Sequence, residues 1–162
     1  MKKVLVLVAV MAILPAIASA ALTCNPGTYN GKFTSVVKEL NGKTGTLAVT
    51  KEGDKCTMKF KAEGANETWE VAGNTLTQTE YDNTGKTTQK YTAAAQGDKW
   101  VINCKDRAKN DCDAGIDNRN YWKINTTPTT VDYLVYGVGD ANKTNPTATV
   151  VERHKFSFTK AN

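Results

Sequence analysis

The stretch Lys55-Cys56-Thr57-Met58-Lys59-Phe60-Lys61-Ala62 decides the fold. Cys56, Met58, Phe60 and Ala62 alternate with Lys55, Thr57, Lys59 and Lys61. Side chains of a β-strand point to opposite faces in turn, so this pattern predicts a strand with one apolar and one solvated face. Outward from it, the same period of two recurs. Leu47 and Val49 share a face, as do Trp69 and Val71, then Trp100, Ile102 and Cys104. Trp122 pairs with Ile124, and Tyr133 with Val135. Near the end, Val150, Glu152, His154, Phe156 and Phe158 fall on one face.

Turn signals separate these runs. Asn30-Gly31, Asn41-Gly42, Glu52-Gly53-Asp54, Ala72-Gly73-Asn74, Asn83-Thr84-Gly85 and Gln96-Gly97-Asp98 combine glycine with Asn or Asp, residues that accept positive φ. Threonine occurs 23 times, all after residue 20, and suits a pleated, half-exposed surface. No segment beyond the N-terminus carries a long helical apolar period. The expected strands are Gly27–Val37, Gly45–Thr50, Asp54–Ala62, Glu67–Val71, Thr75–Tyr81, Thr87–Ala95, Lys99–Asn103, Arg119–Asn125, Val131–Tyr136 and Thr149–Thr159. Register is weakly specified in Leu76–Tyr81, because Leu76 and Tyr81 lie on opposite faces.

The fold expected is all-β: an antiparallel up-and-down barrel of about 8–10 strands, because the turn spacing needs no long crossover. A β-sandwich is the second choice. An outer-membrane barrel ranks third, since several runs are shorter than a spanning strand needs and Glu152 and His154 interrupt the last apolar face. The general plan is similar to that of lipocalin-like barrels. The early Gly-x-Trp that typifies lipocalins is missing, the nearest match being Gly27-Thr28-Tyr29, so the likeness is one of general plan and not of membership.

Met1–Ala20 has two lysines, an apolar run from Val4 to Ile17 and the small-residue end Ala18-Ser19-Ala20. That layout predicts a cleaved export signal over 1–20, with cleavage after Ala21 as the alternative, and one domain over 21–162. Thr23 before Cys24, with Ala21 at the third position back, does not suit lipidation. Removing the first twenty residues lowers the formal charge from +5 to +3, too small to argue for nucleic acid. The lysine face of Lys55–Lys61 is read as a solubilising face rather than a binding patch. The location expected is periplasmic or secreted. The matches to the glycosylation pattern at Asn66, Asn125 and Asn142 are expected by chance in so Thr-rich and Asn-rich a chain.

Four cysteines in an exported chain imply two disulfides with three possible connectivities. The pairing expected is Cys24–Cys56 and Cys104–Cys112. No C-x-x-C spacing marks a redox or zinc site. In Asn110–Asp117, Asp111, Asp113 and Asp117 resemble an oxygen-rich cation loop. However, Gly115 falls one place early for the helix-loop-helix calcium pattern, and no glutamate closes it. A solvated loop is therefore expected there. No metal or cofactor is called for, and no membrane span.

Polar residues on inward faces are the functional clue. Gln78 and Glu80 follow Leu76, Gln89 precedes Tyr91, and Glu152 and His154 precede Phe156. Buried polar groups need partners, and a ligand is one kind of partner. A barrel lined by Gln78, Glu80, Gln89, Tyr91, Trp100, Trp122, Glu152, His154 and Phe156 would hold an apolar or amphipathic small molecule. The alternative is a structural or inhibitor-like interaction module with a filled core, presenting a loop such as Gly137–Pro146. Catalysis through Glu152 and His154 lacks a marked nucleophile, so no enzyme is expected.

Overall fold

The computed structural model describes residues 22–36, 38, 41–103, 120–138 and 149–162. Ten antiparallel strands follow in chain order. They are β1 (Gly27–Ser35), β2 (Thr44–Glu52), β3 (Lys55–Ala62), β4 (Ala65–Ala72), β5 (Thr75–Tyr81), β6 (Thr87–Gln96), β7 (Lys99–Ile102), β8 (Tyr121–Thr126), β9 (Thr130–Gly137) and β10 (Val151–Lys160). Each pairs with the next, and β1 pairs with β10, so the sheet closes into an up-and-down barrel. Four hairpins turn on two residues that include a positive-φ glycine: Gly53, Gly64, Gly73 and Gly97. The β5–β6 turn is built differently. Asp82 Oδ1 accepts from the Thr84 and Lys86 amides and the Thr84 hydroxyl, fixing it from one side chain.

Alternation places the apolar set inside and threonine and lysine outside. In β3, Cys56, Met58 and Phe60 are buried while Lys59 and Lys61 are exposed. A membrane-spanning barrel carries its apolar band on the outside, the reverse of this arrangement. Among the described residues no helix is long and apolar enough to cross a membrane.

The two ends of the barrel differ. Strand pairs turn at one end through the β2–β3, β4–β5, β6–β7 and β8–β9 connections, and that end is solid. Tyr29, Leu47, Met58, Leu76, Val131 and Phe158 are all essentially inaccessible there. The segment before β1 crosses this base. Cys24 is bonded to Cys56 at the start of β3, and the Asn25 side-chain amide donates to the Thr127 carbonyl in the β8–β9 turn at 2.9 Å. β3 and β8 lie on opposite sides of the ring of ten strands, so these two ties span it. Tyr29 adds a hydroxyl bond to the Asn25 carbonyl at 2.8 Å. The Cys24–Cys56 pairing matches the sequence expectation and fits an oxidising compartment. The expected Cys104–Cys112 bridge, the Asn110–Asp117 loop and the export signal over Met1–Ala20 lie outside the described residues.

Ring closure depends on close contact between the terminal strands. β1 and β10 pair from Tyr29 opposite Lys160 to Ser35 opposite His154. At Gly31, a Cβ atom would collide with the Ser157 carbonyl oxygen and the Phe158 ring. Backbone cannot give way as a flexible side chain can. Gly31→Ala should therefore lower stability by about 2–3 kcal/mol in denaturant unfolding. The disulfide closes a separation of 32 residues. Its replacement by the serine pair Cys24→Ser and Cys56→Ser should cost about 3.5 kcal/mol on the chain-entropy account, read as a lower unfolding midpoint.

Candidate functional site

Among the described residues, the other end of the barrel is not filled. It holds a cavity of about 460 Å³ reached between the β3–β4 turn and the facing strand ends. Its apolar wall comes from Phe33 of β1, Phe60 of β3 and Phe156 of β10. These rings pack directly: Phe33 and Phe156 have centroids 4.0 Å apart, and Phe60 meets Phe156 edge-on at 4.7 Å. Beneath them Trp69 stacks on Tyr133 at 3.9 Å, and Trp69 is fully buried. Such offset aromatic contacts stiffen the base of the cavity.

The polar wall stands on β4 and β5. Glu67 and Glu80 are direct cross-strand partners, and Gln78 lies opposite Trp69. Glu67 Oε2 accepts from the Trp69 indole N–H and from the Gln78 amide, both at 2.8 Å. The same Gln78 amide reaches Glu80 Oε1 at 3.5 Å, so it bridges the two carboxyl groups. Burial pushes the Glu67 carboxyl up to about 7, and the charge of Glu80 adds to the effect. The Trp69 and Gln78 donors oppose it. The carboxyl therefore titrates near neutrality, facing a cavity.

On β10, His154 lines the cavity and its Nδ1 is 2.8 Å from the Ser35 hydroxyl. Its ring stacks on Phe33 with centroids 5.6 Å apart. Burial, then the charge of Arg153, holds its pKa below the usual histidine value. Neutral imidazole is thus the resting form at pH 7. At the rim, Lys43 and Glu63 are 3.9 Å apart, a loose and exposed ion pair. Among the described residues no cluster of His, Cys, Asp and Glu is placed to hold a metal ion.

Of the residues singled out from sequence, Gln78, Glu80, Tyr91, Trp122, His154 and Phe156 come together around this cavity. Trp100 is buried in the core and does not line it. Gln89 is exposed. The β5–β6 register shifts between Glu80 and Tyr81, pairing Tyr81 with Thr87, which is the irregularity behind the weak patterning there. Glu152 is placed apart from His154. The β9–β10 register slips between them: Glu152 lies opposite Tyr136, whereas His154 lies opposite Val135. The extra residue, Arg153, turns Glu152 off the His154 face, and Glu152 instead accepts from the Tyr136 hydroxyl at 3.3 Å. Arg153 lines the cavity in its place.

Glu67 is the residue sequence reasoning missed. Its signal was present, because Glu67, Trp69 and Val71 share a face. Asn120, also buried and lining the cavity, lies within the expected strand Arg119–Asn125 in phase with Trp122 and Ile124, but was not singled out. The sequence matches no protein-family model, and no curated protein matches it.

The Glu67 carboxyl sets a pH dependence of stability. The folded state holds this proton until about pH 7, whereas an unperturbed glutamate releases it near 4.5. Between those values the folded chain binds more protons than the unfolded chain, so this group's contribution falls as pH rises. Above pH 7 the loss is complete, about 3 kcal/mol. His154 acts in the opposite sense, reducing stability as pH drops below its ordinary 6.5. Comparing the wild type with Glu67→Gln cancels the histidine. The variant should be more stable by about 3 kcal/mol at pH 8, and by under about 1 kcal/mol at pH 5, in urea unfolding.

Proposed function

We propose that this protein is an exported binding protein that holds a small amphipathic molecule in the cavity of its barrel. The cavity of about 460 Å³, lined by phenyl rings together with carboxyl and amide groups, carries this reading. It falls within the usual range for small-molecule sites, and it combines apolar lining with a few convergent polar groups. An export signal over Met1–Ala20 and the disulfide support a periplasmic or secreted location.

The reading is of binding rather than turnover. Glu152 and His154, the only acid–base pair the sequence offered, point to different surroundings. Ser35 and His154 bond to each other, yet Ser35 does not line the cavity. A filled interaction module finds support in the solid base of the barrel alone.

Native mass spectrometry of the secreted protein should show a co-purified small molecule. The neutral fluorophore phenylnaphthylamine should brighten on binding. Ala62 faces the cavity, so Ala62→Phe should weaken that binding at least tenfold while the fold is kept, as judged by circular dichroism. Equal binding by both proteins would show that the probe sits elsewhere and that the cavity is not the site.

A further inference from the structure

Resting on the binding reading above, we propose that the cavity's ligand is a hydrophobic amine, with its ammonium group on Glu67 and its apolar body against Phe33, Phe60 and Phe156. Three observations carry this.

The first is the geometry of Glu67. Both of its donors, Trp69 and Gln78, go to Oε2. Oε1 receives neither, and the side chain lines the cavity. A carboxyl fixed on one oxygen by neighbours and open on the other is a preorganised acceptor for an N–H donor. An ammonium supplies that donor together with the opposite charge.

The second is the charge around the cavity. Glu63, Glu67 and Glu80 line it on the acidic side, and Lys43 and Arg153 on the basic side. Lys43 and Glu63 are within ion-pair distance of each other at the rim. Arg153 stands on β10, and β10 is diametrically opposite β5 in the strand order. His154 favours its neutral form. The β4–β5 wall therefore carries two carboxyl groups, Glu67 and Glu80, in cross-strand register. Among the described residues, the other titratable groups lining the cavity are the phenols of Tyr81, Tyr91, Tyr133 and Tyr136.

The third is the shape of the contact surface. Phe33 on β1 and Phe156 on β10 line the cavity with Glu67, and Phe60 on β3 stands beside Glu67 as its cross-strand partner. Aromatic faces attract cations as well as flat apolar groups. An anionic head would instead have to approach two carboxyl groups, and a wholly apolar ligand would leave Oε1 without a donor in a confined site.

Ionisation couples to this binding. Glu67 must release its proton to hold an ammonium as an ion pair, so amine binding near neutral pH expels a proton into the buffer. With the carboxyl titrating at about 7, the affinity for an amine that stays protonated should be about tenfold weaker at pH 6 than at pH 8. Any protonation of His154 toward pH 6 acts in the same direction, by adding positive charge to the cavity.

The test uses three probes with one ring system: naphthylmethylamine, naphthylmethanol and naphthylacetate, each titrated into the full secreted protein by calorimetry. The amine should bind at least tenfold tighter than the alcohol at pH 8, and the acetate more weakly than either. Repeating the amine titration in buffers of different ionisation enthalpy should reveal proton release at pH 6.5. Glu67→Gln should reduce the amine-to-alcohol affinity ratio to about one and remove the proton release. Equal binding of all three probes, or tightest binding of the acetate, would overturn the amine assignment while leaving the cavity as a binding site. No binding by any of the three would overturn the binding reading itself.

Discussion

Everything about this molecule depends on the pairing of its first strand with its last. A meander of ten strands has two raw edges until β1 meets β10, and those edges are 119 residues apart at the Ser35–His154 contact. Closing so long a chain costs entropy before it returns any contact. The return is concentrated at the seam: seven registered residue pairs, with the Phe158 ring lying where any side chain at position 31 would stand. Gly31 is therefore a packing requirement rather than a turn. Once closed, the sheet exposes no edge for pairing with other chains, and it creates an inside with two ends.

The ends are finished by different means. The base is sealed by bulk, with the N-terminal segment strapped across it by Cys24 and Asn25. The cavity at the other end is framed by packed rings. Trp69, Tyr133, Phe60 and Phe156 brace one another, so the rings cannot simply collapse into the space above them. Rigid aromatics around a void cost dispersion contacts that a fully packed core would have gained. A protein of this size can carry that loss because its lower half is densely filled. The same strands thus do two jobs, anchoring at one end and lining at the other, with the change of role occurring between residues two apart on a strand. In β4, Val71 and Trp69 belong to the filled half, and Glu67 belongs to the cavity.

Strand order and inward faces were legible because period two is a local signal. Each of the ten strands overlaps its expected range, and inward positions such as Met58, Phe60, Trp122 and Tyr133 are buried as alternation requires. What alternation cannot show is where it is interrupted. A bulge adds one residue, and every side chain on one side of it changes face. That is why Glu152, in perfect phase with His154 by sequence, lies apart from it, and why Arg153 lines the cavity. Depth is equally invisible to a periodic pattern. Trp100 and Trp122 are cross-strand partners with the same inward phase, yet only Trp122 reaches the cavity. Glu67 was hidden by habit of reading, not by physics: a charged residue at a strand's start looks like a solvated end until its partner Phe60 and its donors Trp69 and Gln78 are seen.

On the proposed reading, the Glu67 cluster ties stability to binding. A carboxyl enclosed by an indole, an amide and a second carboxyl is a poor choice for folding, because above neutral pH it must be ionised where solvation is incomplete. An uncharged isostere would relieve that penalty, so the penalty marks a position where local stability is set against something else. The two donors on Oε2 hold the group in place without neutralising it. Whatever binds with a positive head removes the penalty as it binds. By mass action it then stabilises the folded barrel most at the pH where the empty barrel is weakest. A neutral ligand has no such advantage, since it brings no positive charge to the carboxylate. The selectivity proposed for the cavity therefore has its source in the cost of ionising Glu67 there.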